Sequence, residues 1–66
     1  MIVSINGEQR EVSPGTTVEQ LVRQASDQDK GIAVALNGEV LPRRAWPGTP
    51  LADRDQVEVV TAVQGG

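Results

Sequence analysis

Two glycines, Gly65-Gly66, close this chain directly after Gln64 and an apolar run over residues 57–63. Glycine lacks a Cβ, so such an end can lie extended in a slot too narrow for any side chain and present only its carboxylate. The carboxylate of Gly66 is therefore the candidate reacting group, with residues 64–66 as a reach arm of about 10 Å at ~3.3–3.6 Å per residue. The plain alternative is a frayed terminus or a cloning remnant. Little else offers chemistry. The chain has no Cys and no His, which removes the thiolate nucleophile, the disulfide, the thiolate metal site and the usual general base. Asp53 and Asp55 could form an acid/base pair, but on a turn without a rigid frame they read better as turn formers; a softer reading is an acidic spot for arginines of a partner. Gly7, Gly15, Gly31, Gly38 and Gly48 are isolated in turns, and no Gly-x-x-x-x-Gly-Lys phosphate loop occurs. The chain is not expected to be an enzyme, nor to bind a cofactor or metal of its own.

With 66 residues, the chain is expected to form one small domain over 1–66 with a flexible tail at 64–66. Six Lys and Arg against nine Asp and Glu leave a net charge of −3, which works against binding a phosphate backbone, and a lone Trp offers no stacking platform for bases. Nucleic acid is a poor partner. No apolar segment reaches the length of a membrane span, so the cytoplasm is the expected location.

The elements that must position the tail are legible in order. Met1, Val3 and Ile5 alternate onto one face, Asn6-Gly7 is a strong hairpin signal, and residues 8–12 return antiparallel. Thr17 with Gln20 fits a capping box, and Val18, Leu21, Val22 and Ala25 form one apolar stripe on a helix starting near Val18. Residues 27–31 form a polar loop. Residues 32–36 make a third strand, Asn37-Gly38 repeats the turn signal within a second Asn-Gly-Glu triplet, and Val40-Leu41 continues briefly. Pro47, Gly48 and Pro50 make residues 45–50 irregular, and residues 52–55 turn into the last strand. Trp46 reads as a lid on a thin core with its indole N–H at the edge, and Arg43 as a partner for a local carbonyl.

This order gives an α+β fold, a mixed four- to five-stranded sheet with one helix packed on one face; it is the ubiquitin-like β-grasp order. The stretch Val34-Ala35-Leu36-Asn37-Gly38-Glu39-Val40-Leu41-Pro42-Arg43, then Trp46, then the strand into Ala62-Val63-Gln64-Gly65-Gly66, resembles the sulfur carriers of thiamine biosynthesis, the ThiS family. The resemblance covers essentially the whole chain. It implies that Gly66 is adenylated on a separate E1-like adenylyltransferase, which holds the ATP and Mg, and becomes a thiocarboxylate with sulfur from a persulfide donor of cysteine desulfurase or rhodanese type. It implies delivery of that sulfur to thiazole synthase, and a recognised tail that includes Gly65. Without Cys, the chain cannot itself carry a persulfide, which leaves the terminal carboxyl as the plausible site. The small subunit of molybdopterin synthase shares the tail, and a ubiquitin-like modifier or β-grasp binding module shares the fold; both stay open here. One departure from the family stands at Arg54-Asp55, where Gly-Asp is usual, so Arg54 is strained if the turn needs a positive φ.

If the alternate residues of the strands face the helix, Ile2, Ala33, Ala35, Val60 and Ala62 point to the opposite face of the sheet. Single exposed apolar residues are ordinary, but five on adjacent strands leading to the tail suggest a docking patch for the activating enzyme.

Overall fold

The structure, a computed structural model, describes residues 1–25 and 31–61. Its strands are β1 (Ile2–Ile5), β2 (Glu8–Glu11), β3 (Ile32–Leu36), β4 (Glu39–Leu41) and β5 (Gln56–Thr61), with one α-helix, α1 (Val18–Ala25), between β2 and β3. The five strands form one sheet in the order β2-β1-β5-β3-β4, with β5 parallel to β1 and antiparallel to β3. This is the ubiquitin-like β-grasp, and it places the last strand at the centre of the sheet.

Each hairpin is closed by an Asn-Gly pair with positive φ at both positions, 51° and 81° at Asn6-Gly7 and 52° and 87° at Asn37-Gly38. Asn tolerates this region and Gly enters it without a Cβ clash, so a two-residue turn forms whose twist matches the strands. The turns pin the registers Ile5 to Glu8 and Leu36 to Glu39. At the start of α1, the Thr17 Oγ1 accepts from the Gln20 N–H at 3.2 Å and the Gln20 Oε1 accepts from the Thr17 N–H at 3.0 Å. The capping box thus satisfies two backbone donors that a helix start leaves orphaned.

Val18, Leu21 and Val22 of α1 are buried against Val3 and Ile5 of β1, Val34 of β3 and Val57 of β5, the residues that alternate onto the inner face. The expected stripe is shorter than its sequence suggests. Ala25, its fourth member and the last described residue of α1, is exposed.

Residues 45–50, expected to be irregular, lie mostly in a 3₁₀ helix, Arg43–Gly48. Proline did not forbid it, because the bonds that form it do not need the N–H that Pro47 lacks. The Ala45 N–H donates to Pro42 O at 2.8 Å and the Thr49 N–H to Trp46 O at 3.4 Å, while the fixed φ of proline suits a 3₁₀ turn. This turn drives Trp46 into the core, where it is 4% exposed, and its indole N–H donates to Leu41 O at 2.9 Å. The Arg43 guanidinium lies over the ring, 5.2 Å from its centroid, within cation–π range. Trp46 is a lid, as its place between prolines suggested.

The turn into β5 is strained. Arg54 has φ of 71°, a conformation that costs a non-glycine residue roughly 1–2 kcal/mol. It is held by a bond from the Arg54 N–H to Ile2 O at 2.6 Å and one from the Asp55 N–H to Ala52 O at 3.1 Å.

Two stability measurements follow from this packing. Leu21, with no exposed surface, is at the centre of the core, so Leu21→Ala should cost about 2–5 kcal/mol in urea unfolding; an unchanged midpoint would show that the helix stripe does not seal the sheet. Arg54→Gly removes the Cβ from a left-handed position and gives up only an exposed 3.8 Å ion pair with Asp53. It should stabilise the fold by about 1 kcal/mol, and a lower melting temperature would refute the strain.

Candidate functional site

β5 carries the chain to Thr61 at the end of the central strand. Gly66, Gly65 and Gln64, expected to form the reacting arm, and Ala62, expected in the docking patch, lie outside the described residues. The described structure defines the base from which that arm departs.

That base has two faces. Val57 points inward and is buried, whereas Glu58 and Val60 point away from α1, with Val60 59% exposed. Register places Val60 beside Ala33, Glu58 beside Ala35, and Ala35 beside Val40 of β4. Ala33, Ala35, Val40 and Val60, with Glu58 at one side, line a single shallow depression next to the strand end. Alanine on β3 makes the hollow, and valines on β4 and β5 form its walls. Val40, 78% exposed, belongs to this surface although its sequence position had assigned it to no face. The signal was available in the Asn37-Gly38 turn, which sets Val40 opposite Ala35.

Ile2 does not join them. Ser4 pairs with Gln56 in the parallel ladder, so Ile2 lies level with Arg54, two residues before β5 begins, while Val60 lies near its end. The two are separated by roughly 20 Å along the strand direction at ~3.3 Å per residue. Ile2, 40% exposed, lines a different and polar hollow with Ser4, Gln9, Gln56 and Arg54. The apolar surface is therefore smaller than the alternation alone suggests, and it is concentrated at the tail end.

Asp53 and Asp55 stand at the other end, in the turn before β5, and both carboxylates hold backbone. The Asp53 Oδ1 accepts from the Ile2 N–H at 2.8 Å. The Asp55 Oδ2 accepts from the Ala52 N–H at 2.7 Å and its Oδ1 from the Asn37 Nδ2 at 3.0 Å. These bonds make the pair turn formers. Among the described residues, no group of three or more acidic side chains could hold a metal ion, and no helix is long and apolar enough to cross a membrane.

Residues 3–66 match the model of the ThiS family. The sulfur carrier protein ThiS of Thermus thermophilus is 40% identical over 65 residues, covering 98% of this chain and all of that one. A thiazole synthase of Paramagnetospirillum magneticum is 33% identical over 66 residues, which span all of this chain but 20% of that protein. The crystal structure of the thiamine biosynthesis protein ThiS from Geobacter metallireducens superposes with a TM-score of 0.85 at 33% identity, covering both chains in full. The chain belongs to the ThiS family: it is a sulfur carrier of thiamine biosynthesis, and a carrier rather than a catalyst.

Proposed function

We propose that the carboxylate of Gly66 is where this carrier is activated and loaded with sulfur. The observation that carries the reading is that the family match runs through Gly66, on a chain with no Cys to hold sulfur in any other way. A C-terminal carboxylate, with an ordinary pKa of about 3.5, is ionised at neutral pH and repels a sulfur nucleophile. It must first gain a leaving group. Attack of a Gly66 oxygen on the α-phosphorus of ATP forms an acyl adenylate and releases pyrophosphate. The outer sulfur of a cysteine persulfide then attacks the acyl carbon and expels AMP, leaving an acyl disulfide. A thiol that attacks the donor's own sulfur breaks the S–S bond, is oxidised to a disulfide with it, and releases the thiocarboxylate.

ATP and Mg belong to an E1-like adenylyltransferase, where the metal offsets the phosphate charge, and the persulfide belongs to a desulfurase- or rhodanese-type donor. Thiazole synthase is the acceptor; the resemblance of this whole chain to one fifth of a thiazole synthase supports that pairing. Chemistry that uses ATP and reduced thiols suits the cytoplasm. Gly65 and Gln64 serve as the arm that crosses a narrow slot in the partner. The depression formed by Ala33, Ala35, Val40 and Val60 docks the adenylyltransferase, and Ala62 serves the same contact.

Two measurements test this reading. Deleting Gly66 leaves a carboxylate of the same intrinsic reactivity but withdraws it by about 3.5 Å, and a misplacement of even ~1 Å can cost roughly 100-fold in rate. ATP–pyrophosphate exchange with the activating enzyme should nearly vanish while the unfolding curve stays unchanged. Full exchange, followed by an intact mass showing oxygen replaced by sulfur, would end the assignment of Gly66. Val60→Glu places an unpaired charge in a surface that binding would desolvate, and should raise the KM for the carrier about tenfold or more without unfolding it. A wild-type KM would remove Val60 from the docking surface.

A further inference from the structure

The Asn-Gly-Glu triplets at residues 6–8 and 37–39 do more than turn the chain: each Asn side chain reaches β5. The Asn37 Oδ1 accepts from the Gln56 N–H at 2.9 Å, and the Asn6 Oδ1 accepts from the Val59 N–H at 2.8 Å. The two grips meet the strand on opposite edges, Asn37 on the β3 side at its start and Asn6 on the β1 side near its end.

Their surroundings differ. At Gln56 and Val57 the β1 edge is paired through Ser4 and Ile5, and on the other edge Leu36 pairs with Val57 while the Asn37 backbone N–H donates to Gln56 O at 2.7 Å, a bond that does not need the Asn37 side chain. Past Val57 the β3 ladder continues, through Ile32 opposite Thr61. On the other edge β1 has ended and the chain has entered its turn, with the Asn6 N–H still donating to Val57 O at 2.9 Å. Among the described residues, the Asn6 side chain is then the group that holds the β1-side edge of β5 beyond this point. It holds the strand at Val59, the last residue but two before the described chain ends.

We infer that Asn6 is a positioning residue for the reaction at Gly66: its side chain completes the β1 ladder on β5 and so sets the line along which the tail leaves the sheet. This rests on the reading of Gly66 as the reacting end. A strand held on one edge only can pivot about its β3 ladder and displace whatever extends from it. The docking depression combines β3 and β4 with Glu58 and Val60 of β5, and the β3 ladder keeps Val60 beside Ala33 and Glu58 beside Ala35 without the Asn6 grip, so its loss should misdirect the tail while leaving the carrier able to bind. Turnover, rather than affinity, should suffer.

Asn6→Gly keeps the positive φ of the turn and deletes the acceptor; Asn6→Asp keeps both, because Asp-Gly closes the same turn. Two readouts are taken, amide hydrogen exchange of the isolated carriers and steady-state ATP–pyrophosphate exchange with the activating enzyme. In Asn6→Gly, the Val59 amide should exchange at least about tenfold faster, and kcat should fall about tenfold or more with KM for the carrier within twofold, since displacements of ~1 Å can cost 100-fold. Asn6→Asp should restore both values. Asn37→Gly, which loosens a segment laddered on both edges, should lower the melting temperature but leave kcat within twofold. Unchanged Val59 exchange in Asn6→Gly overturns the inference, as does a loss of kcat that Asn6→Asp does not rescue or that Asn37→Gly reproduces. A wild-type carrier that fails to support pyrophosphate exchange overturns the reading of Gly66 itself, and Val59 exchange still reports the grip independently.

Discussion

The structure depends on the pairing of β5 along both of its edges. A last strand added at the rim of a sheet would have one ladder and one row of unpaired backbone groups. Here it lies between a parallel β1 and an antiparallel β3, so the strand that leads into the C-terminal residues is held at the centre of the sheet. A parallel neighbour cannot be reached by a tight turn. The chain between β1 and β5 therefore crosses the sheet as α1 and wraps the far side as β3, β4 and the 3₁₀ helix. Most of the sequence serves to set one strand between two others.

That arrangement divides labour between the faces of the sheet. The inner face is spent on stability, with Val3, Ile5, Val34 and Val57 closed over by α1. With no disulfide to constrain the unfolded chain, a core this small relies on sealing its edges. Trp46 does so at one end, entering on the 3₁₀ helix and bonding Leu41 O, while Leu51 is tied beside the start of α1 by its N–H to Thr16 O at 2.8 Å. The outer face carries little of this burden. It is therefore available to a partner, and its apolar part sits where β5 ends.

Backbone geometry at the start of β5 shows how such a scaffold tolerates strain. Arg54 occupies a left-handed conformation because its neighbours over-determine it: the Ile2 N–H donates to the Asp53 carboxylate, the Ile2 carbonyl accepts from the Arg54 N–H, and Asp55 closes the turn through Ala52 and Asn37. Several bonds of modest net value together outweigh one unfavourable φ. The acidic residues that could have been read as chemistry are occupied in holding this turn.

Local rules made much of this legible in the sequence. Asn-Gly pairs, the Thr17 and Gln20 capping box, and period-2 and period-3.6 apolar spacing each act within a few residues. They determined the hairpins, the helix start and the inward residues Val3, Ile5, Val18, Leu21 and Val22, and the absence of Cys excluded a persulfide on the chain itself. Proline misled at Pro47, since a missing N–H forbids a ladder but not a 3₁₀ turn. Alternation assigned Ile2 and Val60 to one face correctly, but it carries no information on how far apart strands place them. Only the tertiary structure, through the Ser4 to Gln56 register, separates them and brings Val40 in to take the place of Ile2. The grip of Asn6 on Val59, across 53 residues of sequence, was likewise beyond local reading, because a side-chain acceptor finds its donor only after the sheet has put the two strands side by side.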